Sequence, residues 1–199
     1  MKSMYRDLVA VFAVTGLGLA LAATGAYAAT AKKPAASKPA AAAPAASTAA
    51  APAGAPVSIG TFNAWTAWTA KDSTGLICYV SSEPNSSLPK GVNRDPIHFL
   101  VVDRKGLGTR NEVQTLIGYT IKKGSKPSAS VDGKTYPMIP DGSGAWLASA
   151  ADEPGFVAAM KAGKSLVVKG TSTRGTETTD TYSLAGATAA LDAANKACF

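Results

Sequence analysis

Two cysteines, Cys78 and Cys198, and one histidine, His98, set the outer limits of the chemistry open to this chain. A four-ligand Cys/His zinc site of the usual kinds cannot be assembled from that set within one chain, and catalysis needing two histidines is excluded. His98 sits in Ile97-His98-Phe99-Leu100-Val101, alternating with apolar neighbours, so it is expected to point to solvent from a strand. A Ser-His-Asp triad can draw its members from distant positions, but no nucleophile elbow is present, because Gly142-Ser143-Gly144 lacks the Gly-x-Ser-x-Gly form. Gly163-Lys164-Ser165 imitates the end of a phosphate loop. Its first glycine would fall at Ala158, and its context is helix then strand, the reverse of what cradling a phosphate needs. Gly106 and Gly108 lack the third glycine of a dinucleotide loop. The remaining route to catalysis is a carboxylate pair, Asp180 with Glu177 or Glu112, which would suit a hydrolase acting on cell-wall or glycan material. No catalytic residue, cofactor or metal is assigned on these grounds.

Binding chemistry has more candidates. Trp65 and Trp68 are three apart, so on a strand they point to opposite faces. One can anchor a core while the other stacks on a sugar or a partner, or is covered by a loop. Arg104, Lys105 and Arg110 mark one loop and Lys122, Lys123 and Lys126 the next. A strand between them would put these loops at opposite ends of a sheet, against a continuous basic groove. Arg174 and Asp180 flank Gly175 and Thr176. Gly175 is expected to permit a tight turn or bulge, with Arg174 and Asp180 paired across neighbouring strands as a structural hydrogen-bonded pair.

The elements that must position these residues are mostly strands. Short runs rich in Val, Ile, Thr and aromatics, broken by Gly, Pro, Asn and Asp, predict strands near 63–70, 76–82, 96–103, 112–121, 128–131, 134–139, 165–174 and 177–184. Asp132-Gly133 predicts a tight hairpin, and Asp72-Ser73-Thr74-Gly75 another turn. Pro137 lacks an N–H and predicts an edge or bulged strand. The connection 83–95, with Pro84, Asn85, Pro89, Gly91 and Asn93, reads as an ordered surface loop. Asp152-Glu153-Pro154 opens a helix ending at Gly163, and Leu184, Ala187, Leu191, Ala194 and Cys198 trace the apolar stripe of a last one. Many strands with few helices predict a mainly β sandwich or barrel.

The front of the chain predicts an address and a spacer. Residues 1–28 read as a signal peptide: Lys2 and Arg6, an apolar run Leu8–Ala23, then Ala26-Tyr27-Ala28 at the cleavage positions. As an uncleaved anchor, that run would reach only ~24 Å against a ~30 Å hydrocarbon core, so no integral membrane span is expected in the mature chain. Residues 29–56 hold 15 Ala and 5 Pro with no larger apolar side chain, predicting a disordered linker, with Lys32, Lys33 and Lys38 free to touch anionic surfaces. The third segment, 57–199, carries 15 basic and 12 acidic residues, so the formal +7 of the chain falls to +3 where folding happens. Nucleic-acid binding thereby loses its main support. In an exported chain, the even cysteine count favours a Cys78–Cys198 bridge from sheet to final helix over two buried thiols.

The chain also resembles the invasion-associated locus B family of exported bacterial proteins. The match runs from Phe62 and Trp65 through Cys78-Tyr79, Ser82, Pro84, Arg94, Asn111-Glu112-Val113 and Gly118-Tyr119. It continues at Val131-Asp132-Gly133, Ala145-Trp146 and Met160-Lys161. Its most specific stretch is Gly170, Ser172, Arg174-Gly175-Thr176 and Thr179-Asp180-Thr181-Tyr182-Ser183-Leu184, then Gly186, Ala190-Leu191 and Cys198. The resemblance implies an immunoglobulin-like antiparallel β-sandwich of the cell envelope, associated in some members with entry into host cells. It brings no established catalytic residues. The expectation is a non-enzymatic protein of the periplasm or cell surface, acting by binding an envelope or host protein or polysaccharide, or as a structural envelope component.

Overall fold

The structure is a computed structural model that describes residues 54–199. The leader 1–28 and nearly all of the linker 29–56 lie outside the described residues.

Period-two burial begins at Trp65 and Ala67. Strand β1 (Val57–Phe62) pairs with β2 (Trp65–Asp72), and β2 with β3 (Gly75–Ser82). The β2–β3 turn is locked by Asp72, whose Oδ1 accepts hydrogen bonds from the Thr74 amide at 2.7 Å and hydroxyl at 2.6 Å. Those contacts hold the Asp72 carboxyl below the usual range. Then follow β4 (Ser86–Leu88), β5 (His98–Arg104), β6 (Thr109–Leu116), β7 (Ser128–Val131), β8 (Lys134–Asp141) and β9 (Gly144–Leu147). Helix α1 (Glu153–Ala162), β10 (Ser165–Thr171), β11 (Glu177–Ser183) and α2 (Ala187–Cys198) complete the order. Every pairing is antiparallel, in the order β1-β2-β3-β5-β6-β9-β8-β7-β10-β11-β4.

This order folds into two layers because β8 belongs to both. Its Lys134–Pro137 half pairs with β7 and its Met138–Asp141 half with β9. The switch falls at Pro137. Pro137 predicts an edge or bulged strand, but β8 lies inside the order. The missing N–H sits where pairing changes partner, and the Pro137 carbonyl still accepts from Ala148 N at 3.0 Å. The β7–β8 turn is the expected tight one, with positive φ at Asp132 (45°) and Gly133 (92°).

The layers close over an aromatic core. Phe99 of the first layer packs on Tyr182 of the second at 5.8 Å between ring centroids, with Trp65 at 6.3 Å and Phe156 of α1 at 5.8 Å from Phe99. The indole N–H of buried Trp65 donates to the Ser183 carbonyl at 2.8 Å, joining β2 to the opposite layer. Helix α2 lies on β1, β2, β3 and β5, burying Ala187, Ala190, Leu191, Ala194 and Cys198. Its stripe starts later than the sequence suggests, since Leu184 precedes the helix and Gly186 turns into it with φ 89°. A Cys78–Cys198 disulfide fastens α2 to β3, enclosing a sequence separation of 120. The outcome is mainly antiparallel β with two helices, the class expected from the sequence.

Candidate functional site

Strand β11 puts its odd and even residues on opposite faces. Thr178, Asp180 and Tyr182 are buried, whereas Glu177 is exposed. A carboxylate without exposure needs a cation, since an unpaired buried charge is very costly. The cation is Arg94, not Arg174. Arg94 Nη1 donates to Asp180 Oδ1 at 2.8 Å and Nη2 to Oδ2 at 2.6 Å, with side-chain exposures of 6% and 0% for the two residues. The expected Arg174–Asp180 pair is therefore corrected. Asp180 pairs in the ladder with Val168 and Arg174 falls in the turn beyond β10, so the two do not meet across strands.

Arg94 has further partners that fix its plane. Nε donates to the Ile117 carbonyl at 3.0 Å, Nη2 reaches the same oxygen, and the guanidinium lies 5.1 Å from the centre of the Tyr119 ring. The Tyr119 hydroxyl shares a 2.6 Å hydrogen bond with Thr178 Oγ1, and burial pushes the phenol above its usual ionisation range. Two glycines make the approach possible. A Cβ on Gly118 would come within 2.4 Å of the Asp95 carbonyl, and one on Gly170 within 2.4 Å of Ile117 Cδ1 and 2.8 Å of the Tyr119 hydroxyl. Bidentate, charge-assisted geometry of this kind offsets the desolvation of both ions.

Around this pair the surface is concave. A cavity of about 190 Å³ is lined by Arg94, Tyr119, Ser172, Arg174, Thr176 and Thr178. A second of about 300 Å³ shares Asn93, Arg94, Tyr119, Ser172 and Arg174 and extends to Asp95. A shallower one of about 580 Å³ lies along the 83–97 connection, with Glu83, Lys90 and Asp95 in its wall. Arg174 is exposed and makes no ion pair with a described residue. Its turn is rigid: Ser172 N donates to Thr176 O at 2.9 Å, Thr176 N to Ser172 Oγ at 3.1 Å, and Gly175 takes φ 86°. The cleft thus offers a free guanidinium, several hydroxyls, an amide and an aromatic ring, a set suited to holding an anionic or hydroxyl-bearing ligand.

The other candidates separate. Trp65 is fully buried, so it is a core residue and not a binding one, whereas Trp68 faces outward, half-buried, with its indole N–H donating to Ser81 Oγ at 2.9 Å. His98 is half-buried on β5; its carbonyl accepts from Thr115 Oγ1 at 3.1 Å, but its imidazole has no nucleophile or carboxylate in hydrogen-bond contact among the described residues. Asp180 and Glu177 point to opposite faces, and Glu112 pairs with Arg104 at 3.6 Å, so neither named carboxylate pair is assembled. Among the described residues no group of His, Cys, Asp and Glu is placed to hold a metal, and no helix is long and apolar enough to cross a membrane. Sequence reasoning missed the role of Arg94. The usable signal was the alternation around Asp180, which puts a carboxylate inside and demands a partner.

Fold and cleft together define a disulfide-fastened β-sandwich with three adjoining cavities beside one buried arginine–aspartate pair. The model of the family described as "Invasion associated locus B (IalB) protein" matches residues 65–195, and the chain belongs to that family. No curated protein matches the chain. A crystal structure of invasion associated protein B from Bartonella henselae is similar at TM-score 0.49 and 14% identity, covering 71% of this chain and 97% of that one.

Proposed function

We propose that the chain is exported through its N-terminal leader to the periplasm or cell surface, and that it acts there by binding rather than by catalysis. Residues 29–56 act as a tether and 57–199 as the binding domain. The observation that carries the reading is Arg174, an exposed guanidinium without an ion-pair partner among the described residues, held over the cleft by a hydrogen-bonded turn. Family membership fits an envelope protein with a host or envelope partner, protein or polysaccharide. A structural role in the envelope shares the same location and differs in needing no cleft ligand.

The test is a pull-down from envelope extracts with the purified chain, its Arg174→Ala variant and a reduced-disulfide control. Arg174→Ala should lose the captured partner while keeping its unfolding midpoint. Equal capture by the variant would sink the reading. The hydrolase alternative has one favouring observation, that Glu83 and Asp95 line a common cavity. Release of reducing ends from wall glycan by the chain, abolished in Glu83→Gln, would replace binding with catalysis.

A further inference from the structure

The first layer has a second face that the core does not use. Its inward positions, among them Trp65, Cys78, Val80, Phe99, Val113 and Ala145, belong to the core cluster. Both helices and the second layer contribute to that cluster from the same side. Outward positions alternate with these and include Trp68, Tyr79, Leu100, Leu116, Ile139 and Trp146. None belongs to the cluster or packs against it, and Leu116 and Ile139 are 40% and 56% exposed.

Register lines these residues up. Thr66, Ser81, Leu100, Gln114, Trp146 and Ile139 are successive cross-strand partners over six strands, a row without a charged side chain. At ~4.8 Å per strand the row runs about 24 Å. The rings are laid on the sheet. A Cβ on Gly144 would meet Trp146 Cη2 at 2.8 Å, so the indole folds back over its own strand and leaves its other face outward. The Trp68 indole leans to Ser81, and its plane lies within 15° of Tyr79 at 6.2 Å. The charges of this face stand off the row: Arg104 meets Glu112 at 3.6 Å and Asp72 at 3.9 Å at one margin, and Asp141 ends β8 at the other.

We propose that this face binds a strand of uncharged polysaccharide laid along the row. Sugar rings present C–H faces that pack on an indole and hydroxyls that pair with groups such as Thr66, Ser81 and Gln114. The uncharged row gives an anionic polymer no ion pair. A second protein fits less well. Three neighbouring rows cover on the order of 500 Å² at these spacings, short of the ~800 Å² per partner of a stable interface. A rigid partner would also have to match a sheet turning ~20–25° per strand, whereas a polymer along one row need not. The site uses none of the cleft residues.

The experiment is affinity electrophoresis of the purified chain, disulfide intact, in native gels cast with hydroxyethyl cellulose, dextran or galactomannan. Each chain is run with and without polymer beside a non-binding reference protein, so that its mobility relative to the polymer-free gel reports binding apart from net charge and sieving. At least one should retard it, with an apparent affinity about tenfold weaker in Trp146→Ala. Ile139→Lys, at an exposed position, should also weaken it while keeping the unfolding midpoint, and Arg174→Ala should show the parent's retardation relative to its own polymer-free gel. No retardation in any gel, or retardation unchanged in both face variants, overturns the proposal. So does a concentration-dependent dimer in sedimentation that Ile139→Lys dissolves, which would make the face a contact between copies.

Discussion

Replacing Asp180 by Asn is the sharpest perturbation of the site. The side chain keeps its size, but one oxygen facing Arg94 becomes an NH₂ that opposes a guanidinium N–H, and a positive charge stays inside with nothing to balance it. Both hydrogen bonds are short, 2.8 and 2.6 Å, and the two side chains are 6% and 0% exposed, so water cannot restore the balance. Breaking a buried pair from one side costs about 3–5 kcal/mol, against a total of about 5–15 kcal/mol for an ordinary domain. At about 2–4 °C per kcal/mol, the melting midpoint should fall roughly 6–20 °C. The assay is urea unfolding at neutral pH with the disulfide intact, followed by tryptophan fluorescence, because fully buried Trp65 reports opening of the core. The double variant Arg94→Met, Asp180→Leu removes both charges and should recover most of the loss. If Asp180→Asn costs less than about 1 kcal/mol, or the double variant is as unstable as the two singles summed, the buried ion pair is not what holds this region.

Reducing the Cys78–Cys198 bridge should cost at most about 4–5 kcal/mol by the loop-entropy account and loosen α2 first, which hydrogen exchange would localise. Glu153 should weaken the fold as pH rises. Its carboxyl is held above the usual 4.5, first by burial and further by Glu112, so the folded state binds the proton better. Stability is then greatest below that ordinary value and declines as pH climbs through the raised one. Glu153→Gln should flatten this limb of a pH series of urea midpoints. Tyr182 has the same sign at the alkaline end: burial, then Asp180, push its phenol above the ordinary 10.0, so stability falls once pH exceeds that value. Its buried hydroxyl makes no hydrogen bond of good geometry among the described residues, Thr115 being its one polar neighbour, so Tyr182→Phe should cost little at pH 7 and extend the alkaline limit of the circular-dichroism signal.

The parts of the fold legible in sequence are those whose signals are local. The Asp132-Gly133 turn has positive φ at both residues, and it is flanked by Ser128–Val131, as expected, and by Lys134–Asp141, which runs two residues past the expected 134–139. What stayed hidden depends on distant partners. Strand β4 has three residues, Ser86–Leu88, between two prolines, and exists because β11 offers an edge. Strand β9 has four residues held between β6 and β8, and β1, with no fully buried residue, is held by its pairing with β2. The predicted strand 112–121 ends at Leu116, because Arg94 takes the Ile117 carbonyl and Gly118 turns with φ 75°. The same limit explains the wrong partner for Asp180. Arg174 is near in sequence, whereas Arg94 is 86 residues away, and alternation reports which side a residue faces but not what waits there.

That distant pairing also links stability to binding. Arg94 is the point where the 83–97 connection, the end of β6 and β11 are tied together, through Asp180 and the Ile117 carbonyl. The cavities beside it exist because these segments are drawn toward one guanidinium instead of continuing the sheet. A variant at Arg94 or Asp180 would therefore lose fold and cleft together, and its binding defect could not be assigned to ligand contact. Arg174 separates the two. It lines the same cavities from a turn whose hydrogen bonds are made by Ser172, Gly175 and Thr176, so its side chain can be removed without touching the pair that shapes the cleft. Exposed substitutions of this kind usually stay within about 0.5 kcal/mol, so capture lost at constant stability points to the guanidinium itself.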